Sequence, residues 1–274
     1  MHSCARCPGF RRTHWGLGVL VAVLVAATPA LVAQTPAYRA IDLVNAASNT
    51  PTPLSPGTIA TLYGTNLAFT TRQQTPDDIT ANTLPATLPG TGVRVFISNQ
   101  PAHLYYVSPT QINLVIPVNL PPGEGVLDLL LDGRRGPTIP ITLVAEAPEF
   151  FLGDGRFIAA TNVQNQPLTP DRTAQPGDVV VLYATGLGRT TPSLMPGQLA
   201  LQATSIARLP QFRVQIEGRL VEAENILYAG LSPGFAGLYQ INLRLPPDTP
   251  ANPEVRMGFD NITSQPGTRL RVGR

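Results

Sequence analysis

The chain repeats itself, and the repeat limits what it can fold into. Pro56-Gly-Thr-Ile-Ala-Thr-Leu-Tyr-Gly-Thr-Asn-Leu67 is matched by Pro176-Gly-Asp-Val-Val-Val-Leu-Tyr-Ala-Thr-Gly-Leu187, an offset of 120 residues. Tyr106 matches Tyr228 at an offset of 122, and Gln111-Ile-Asn113 returns as Gln240-Ile-Asn242 at 129. A period this long belongs to a duplicated domain, not to a solenoid, whose units are far shorter. The offset grows within Gly230–Gly237, a turn where added residues cost little closure entropy. Each copy must therefore close its own core within that period.

The pattern inside each copy is that of strands. Ile112, Leu114 and Ile116 share one face, with Gln111 and Asn113 on the other; Ile241, Leu243 and Leu245 share a face opposite Gln240, Asn242 and Arg244. Such a period of two marks a strand with one face in a core. On this reading the two triplets are structural: their amides turn away from the core and bond the backbone of a covering loop. In the first copy strands are expected at Arg39–Val44, Thr58–Tyr63, Val93–Ile97, Ala102–Val107, Gln111–Ile116, Val126–Leu131 and Ile139–Val144. In the second they are expected at Phe157–Val163, Val179–Tyr183, Phe212–Ile216, Glu222–Tyr228, Leu238–Leu245, Glu254–Phe259 and Arg269–Val272. No segment reads as an amphipathic helix. Seven short strands per copy, separated by Pro-Gly, Ser-Pro and Asp-Gly turns, predict an all-β chain of two tandem immunoglobulin-like sandwiches, over 38–147 and 148–274. With 24 Gly, 29 Pro and only 13% charged residues the chain is rich in turns, while 43% hydrophobic content suffices for packed cores.

The joint, Ala147-Pro148-Glu149-Phe150-Phe151, is short and apolar, so its two Phe are expected to bury between the sandwiches and make the pair rigid. Each copy also carries a long irregular insert at the same place, 68–92 and 188–209. Such inserts either protect a sheet edge or form a binding surface.

Residues 1–33 read as a secretory signal. Arg6, Arg11 and Arg12 precede an apolar run from Gly16 to Ala27, and small residues lead to cleavage after Ala33, with Ala30 as second choice. The run is too short for a membrane span. Cys4 and Cys7, the only cysteines, fall in this leader, so the mature chain is expected to hold no disulfide. Without the leader's three Arg, 16 basic residues face 17 acidic ones, a net of −1 in place of +2. That leaves no footprint for nucleic acid or for an anionic membrane surface.

The order Asn45-Ala-Ala, Pro56-Gly, Leu62-Tyr-Gly-Thr-Asn-Leu, Val93–Ile97, Tyr106-Val-Ser-Pro-Thr-Gln-Ile-Asn and Pro117 resembles the IPT/TIG family of immunoglobulin-like domains. Residues 41–273 more closely resemble an uncharacterised C-terminal module of large secreted acidobacterial proteins. The second copy supplies Pro176-Gly-Asp, Tyr183-Ala-Thr-Gly-Leu-Gly, Tyr228-Ala-Gly-Leu-Ser-Pro-Gly and Gly237-Leu-Tyr-Gln-Ile-Asn. The resemblance implies an extracellular β-sandwich with no assigned catalytic residues.

The residues that carry chemistry support the same expectation. Gly230-Leu-Ser-Pro-Gly234 fits the G-x-S-x-G pattern of hydrolases, but the residue after Ser232 is Pro233, which has no N–H to serve an oxyanion. The only His beyond the leader is His103, upstream of that Ser, and one His without Cys makes no zinc site. Its imidazole is expected on or half within a sheet. The chain has no Lys, which removes Schiff-base chemistry. Glu146, Glu149 and Asp154 are the acids nearest the joint and the only candidates for a cation there. Tyr63, Tyr106, Tyr183 and Tyr228 occupy matching positions, which favours packing or a corner hydrogen bond over sugar stacking. No catalytic, cofactor-binding or metal-binding residue is assigned, and the binding surface is left open. The expectation is a non-enzymatic secreted or cell-surface protein that engages an extracellular protein or polysaccharide. A carbohydrate-binding accessory module is the alternative, and a secreted hydrolase with unrecognised carboxylates is the third reading.

Overall fold

The computed structural model describes residues 35–273; the segment 1–33 expected to be a secretory signal, with Cys4 and Cys7, lies outside the described residues. Gln34–Arg274 forms one compact unit. Apart from four three-residue 3-10 turns, its regular structure is all antiparallel β, as the period of two required.

In the first half one sheet runs Leu43–Asn45, Ile59–Tyr63, Gln111–Val115, His103–Val107, Arg72–Gln73, and faces a second built from Ile139–Leu143, Gly123–Leu131, Val93–Ile97 and Gln100–Pro101. Leu62, Leu104, Ile112 and Leu114 from the first sheet meet Val93, Val95, Leu127 and Leu129 from the second, all buried in one apolar cluster. The second half repeats the arrangement. Its larger sheet runs Glu149–Phe150, Val179–Thr185, Tyr239–Arg244, Ile226–Leu231, Thr204–Ile206, Thr190–Thr191, and faces Arg219–Leu220, Phe212–Ile216, Val255–Phe259 and Ile262–Thr263. Phe150, Leu182, Ile241, Leu243, Val214 and Met257 fill its core. The register is also duplicated. Tyr63 lies opposite Gln111 and Tyr183 opposite Gln240, while Leu43 faces Leu62 and Ala160 faces Leu182. These are immunoglobulin-like sandwiches of short strands, each with an apolar interior.

Three strand expectations change. Ala40–Asp42 and Ala223–Asn225 are 3-10 turns where extended chain was expected. At the first, Asp42 draws the turn closed by accepting from the backbone N–H of Arg39 at 2.9 Å. Arg269–Val272 forms only isolated bridges, two of them parallel: Phe157 to Arg269 and Ala174 to Val272. The first half has the same device, a parallel bridge between Leu54 and Leu143.

Both inserts cover sheet edges. Arg72–Gln73 pairs with the edge strand His103–Val107, and Thr204–Ile206 with Ile226–Leu231. They also bind each other: Leu84 N–H donates to the Gly197 carbonyl at 2.9 Å and Leu199 N–H to the Asn82 carbonyl at 2.8 Å. Beneath this contact Leu84, Val115 and Ala236 form a small buried cluster with Ile59, Ile79, Tyr105 and Leu199, drawn from both halves. At the joint, Ser55 Oγ donates to the Gly186 carbonyl at 3.1 Å, and Ile59 N–H donates to Thr185 Oγ1 at 2.9 Å. Phe150 is buried in the second core, whereas Phe151 is only half-buried.

Tyr105 adds a two-way polar link across. Its hydroxyl donates to the Ala236 carbonyl at 2.8 Å and accepts from the Ala236 N–H at 3.0 Å. Burial pushes its pKa up to about 12. Tyr105→Phe keeps the ring and strands both backbone groups. It is expected to cost about 2 kcal/mol in chemical denaturation; an unchanged midpoint would show the link to be idle.

Candidate functional site

The outer face of the first sheet carries the side chains that the core strands turn away. Thr61 lies opposite Asn113 and Tyr63 opposite Gln111. Their alternation with buried Leu62, Ile112 and Leu114 is what places them there. Gln111 Nε2 donates to Asn113 Oδ1 at 2.9 Å, Thr61 Oγ1 to the same oxygen at 3.1 Å, and the Tyr63 hydroxyl to Asn49 Oδ1 at 3.1 Å. This corrects the expected clasp. The amides bond along the sheet face, and the loop backbone is held instead by Ser108 Oγ, which accepts from Gln111 N–H at 3.0 Å. In the second half Gln240 Nε2 donates to Asn242 Oδ1 at 3.2 Å and Ser232 Oγ donates to Gln240 Oε1 at 3.0 Å. Ser232 is buried and serves that bond.

In the first half the polar row forms the floor of an open trough of about 410 Å³, walled on the second half by Phe151, Phe235 and Leu238. Tyr63 is 38% exposed and Phe235 45% exposed. Gln111 Oε1, Asn113 Nδ2 and Asn49 Nδ2 have no partner among the described residues, so the floor offers both acceptor and donors. No charged side chain lines the trough. It combines aromatic faces with convergent amides, the usual make-up of a site for uncharged polar ligands.

The four matched Tyr do not share one role. Tyr228 is structural, its hydroxyl donating to the Leu231 carbonyl at 2.8 Å and accepting from Thr204 N–H at 3.0 Å. Tyr106 pairs with Asn113 within the sheet. Tyr63 faces the trough, and Tyr183 lines a separate hollow. Tyr105 and Phe235 were not anticipated. Phe235 stands in the Gly-rich turn Gly230–Gly237, where a large aromatic among small residues was the available signal.

The acids near the joint are separately engaged. Glu146 pairs with Arg208 at 3.0 Å, Asp154 pairs with Arg271 at 2.6 Å, and Glu149 accepts from Gln265 N–H at 3.1 Å. Among the described residues no three His, Cys, Asp or Glu converge as metal ligands. His103 is half-buried, its pKa lowered by that burial, and Nδ1 finds no partner among the described residues. Its ring lies against Gly197, where an added Cβ would come within 2.3 Å.

A more enclosed space of about 290 Å³ lies at the joint beside Tyr239, Arg189 and Met195. Several of its polar groups are already used: the Tyr239 hydroxyl donates to the Gly188 carbonyl, and Gln198 Oε1 accepts from Met195 N–H at 2.9 Å. It offers a ligand less than the trough does.

No family model and no curated protein matches the chain. Among solved structures it is similar to SGBP-B of the Bacteroides ovatus mixed-linkage glucan utilization locus, in complex with a mixed-linkage heptasaccharide: 13% identity over 81% of this chain and 42% of that one, TM-score 0.34. It is also similar to domains 5–6 of the S-layer protein SbsC, at 9% identity over 87% and 100%, TM-score 0.27. Titin Ig tandem domains A164-A165 align at 7% identity over 81% and 90%, TM-score 0.21. The chain thus spans less than half of SGBP-B, and likeness at this level carries no argument about function. The class is fixed by the chain's own topology as all-β and immunoglobulin-like. Among the described residues no helix is long and apolar enough to cross a membrane.

Proposed function

We propose that this chain is a non-enzymatic, exported or cell-surface β-sandwich protein that binds neutral polysaccharide in the trough between its halves. The observation that carries this reading is the juxtaposition of exposed Tyr63 and Phe235 with the partnerless amide atoms of Asn49, Gln111 and Asn113, in a trough free of charge. Equatorially linked sugars present flat C–H faces above and below the ring and hydroxyls around its edge. Aromatic rings cover the faces, and amides donate to and accept from paired hydroxyls. An open, charge-free trough suits an uncharged chain lying across it and gives a uronate polymer no counter-ion.

Affinity electrophoresis in gels containing hydroxyethylcellulose tests this, with polygalacturonate as the charged contrast. The protein is expected to be retarded only by the neutral polymer, and Phe235→Ala to weaken that retardation about tenfold, or about 1.4 kcal/mol. Equal mobility with and without the neutral polymer would sink the reading. Release of new reducing ends would overturn its non-enzymatic part.

A further inference from the structure

The trough has a neighbour on the second half. Phe151, part of the trough wall, donates its N–H to the Tyr183 carbonyl at 3.0 Å, and its carbonyl accepts from Ala159 N–H at 2.7 Å. Both of these bonded neighbours, Tyr183 and Ala159, line a second open hollow of about 400 Å³. The two hollows therefore flank one short segment of chain.

The second hollow repeats part of the chemistry of the first. Tyr183 is the counterpart of Tyr63, each opposite the Gln of its own Gln-Ile-Asn strand. Phe157 supplies another aromatic ring, with the Arg271 guanidinium 3.9 Å above its centroid. Arg271 is in turn paired with Asp154 at 2.6 Å, so its charge is answered in place. Thr161 also lines this hollow, but its Oγ1 is buried beneath the lining, so the aromatic rings of Tyr183 and Phe157 are what the hollow presents to a ligand.

We propose that the polysaccharide track continues past Phe151 into this second hollow, so that the ligand is an extended chain held at two points, not a short oligosaccharide or a chain end. This rests on the reading of the trough given above. Two linked contacts on one polymer raise affinity without tightening either contact, because the second forms at high effective concentration. Affinity should then keep rising with ligand length after the trough is filled.

The experiment is calorimetric titration with cello-oligosaccharides of increasing length, on the wild type and on Phe235→Ala, Tyr183→Ala and Tyr183→Phe. Tyr183→Phe keeps the ring that would cover a sugar face and guards against a folding artefact. Phe235→Ala is expected to weaken every length. Tyr183→Ala is expected to spare the short oligosaccharides and to weaken the long ones roughly fivefold, while Tyr183→Phe stays near wild type. If Phe235→Ala weakens binding but Tyr183→Ala matches wild type at every length, the extended track is wrong and the trough stands. If the wild type binds none of the series, both are wrong.

Discussion

Gly186→Ala is expected to destabilise the protein by about 2–5 kcal/mol. Gly186 sits at the joint with φ +79°, and a Cβ there would lie 1.9 Å from the Ala147 carbonyl oxygen and 2.7 Å from its carbon. The left-handed backbone alone costs an L-residue about 1–2 kcal/mol. The overlap is with main chain, not with the end of a flexible side chain, so relief requires the two segments to separate, at a further cost of about 1–3 kcal/mol. Separation would break the bond from Ala147 N–H to the Gly186 carbonyl, 2.8 Å, and disturb that from Ser55 Oγ to the same oxygen. Gly153→Ala is the control. Its φ is not left-handed and its Cβ would meet only the Ala159 Cα at 3.8 Å, so it should fall within about 0.5 kcal/mol of wild type. Equal denaturation midpoints for the two variants would show that the joint yields freely.

The second large effect is one of pH. Glu149 is buried, and burial pushes its pKa up from 4.5 to about 7, against the opposing help of the Gln265 N–H and of the Arg256 charge. A carboxyl whose pKa is raised by folding binds more protons in the folded state. Its contribution is therefore complete below the unfolded value of 4.5 and is lost as pH rises through about 7. That displacement corresponds to about 3 kcal/mol. Glu149→Gln keeps an oxygen for Gln265 and cannot ionise, so it should abolish this loss. His103 acts in the opposite sense: its pKa is lowered, so its contribution is present above the ordinary value of 6.5 and is lost as pH falls below it. Because His103 is in both proteins, it cancels from the difference. Denaturation at several pH values from 4.5 to 8 should show the variant gaining on wild type as pH rises. Parallel curves would mean that the carboxylate is solvated or paired after all.

The parts of the fold that were legible in the sequence were those that a face periodicity writes down. Val93–Ile97 and Phe212–Ile216 form over the expected residues because each alternates buried and exposed side chains between turns. The two-residue pairings Arg72–Gln73, Thr190–Thr191 and Arg219–Leu220 were not legible, because two residues carry no period and their pairing is decided by a neighbouring edge. The trough was half visible. Gln111, Asn113 and Tyr63 could be placed on an outer face, yet that they shared a trough with Phe235 could not. The cause is distance along the chain: the link that brings Phe235 to the first sheet is the Tyr105 hydroxyl on the backbone of Ala236, across 131 positions. Such a contact leaves no local pattern. The repeat itself misled on one point. Identical sequence positions suggested one role for the four Tyr, but Tyr228 closes a corner while Tyr63 is left open.

The parallel bridges that tie an early segment of each half to its C-terminal end bear on how the molecule takes a pull. Leu54 N–H donates to the Thr142 carbonyl at 3.2 Å and Val144 N–H to the Leu54 carbonyl at 2.9 Å. In the second half Ala174 and Val272 are bound in the same sense, through Ala174 N–H to the Arg271 carbonyl at 3.0 Å and Gly273 N–H to the Ala174 carbonyl at 2.8 Å. Tension along the chain draws parallel neighbours past one another, so these bonds bear the load together; a hairpin pulled from its open end would yield them one at a time. Rupture under force is governed by the unfolding barrier and not by equilibrium stability. Each half thus carries one parallel pair that a pull along the chain would load in shear.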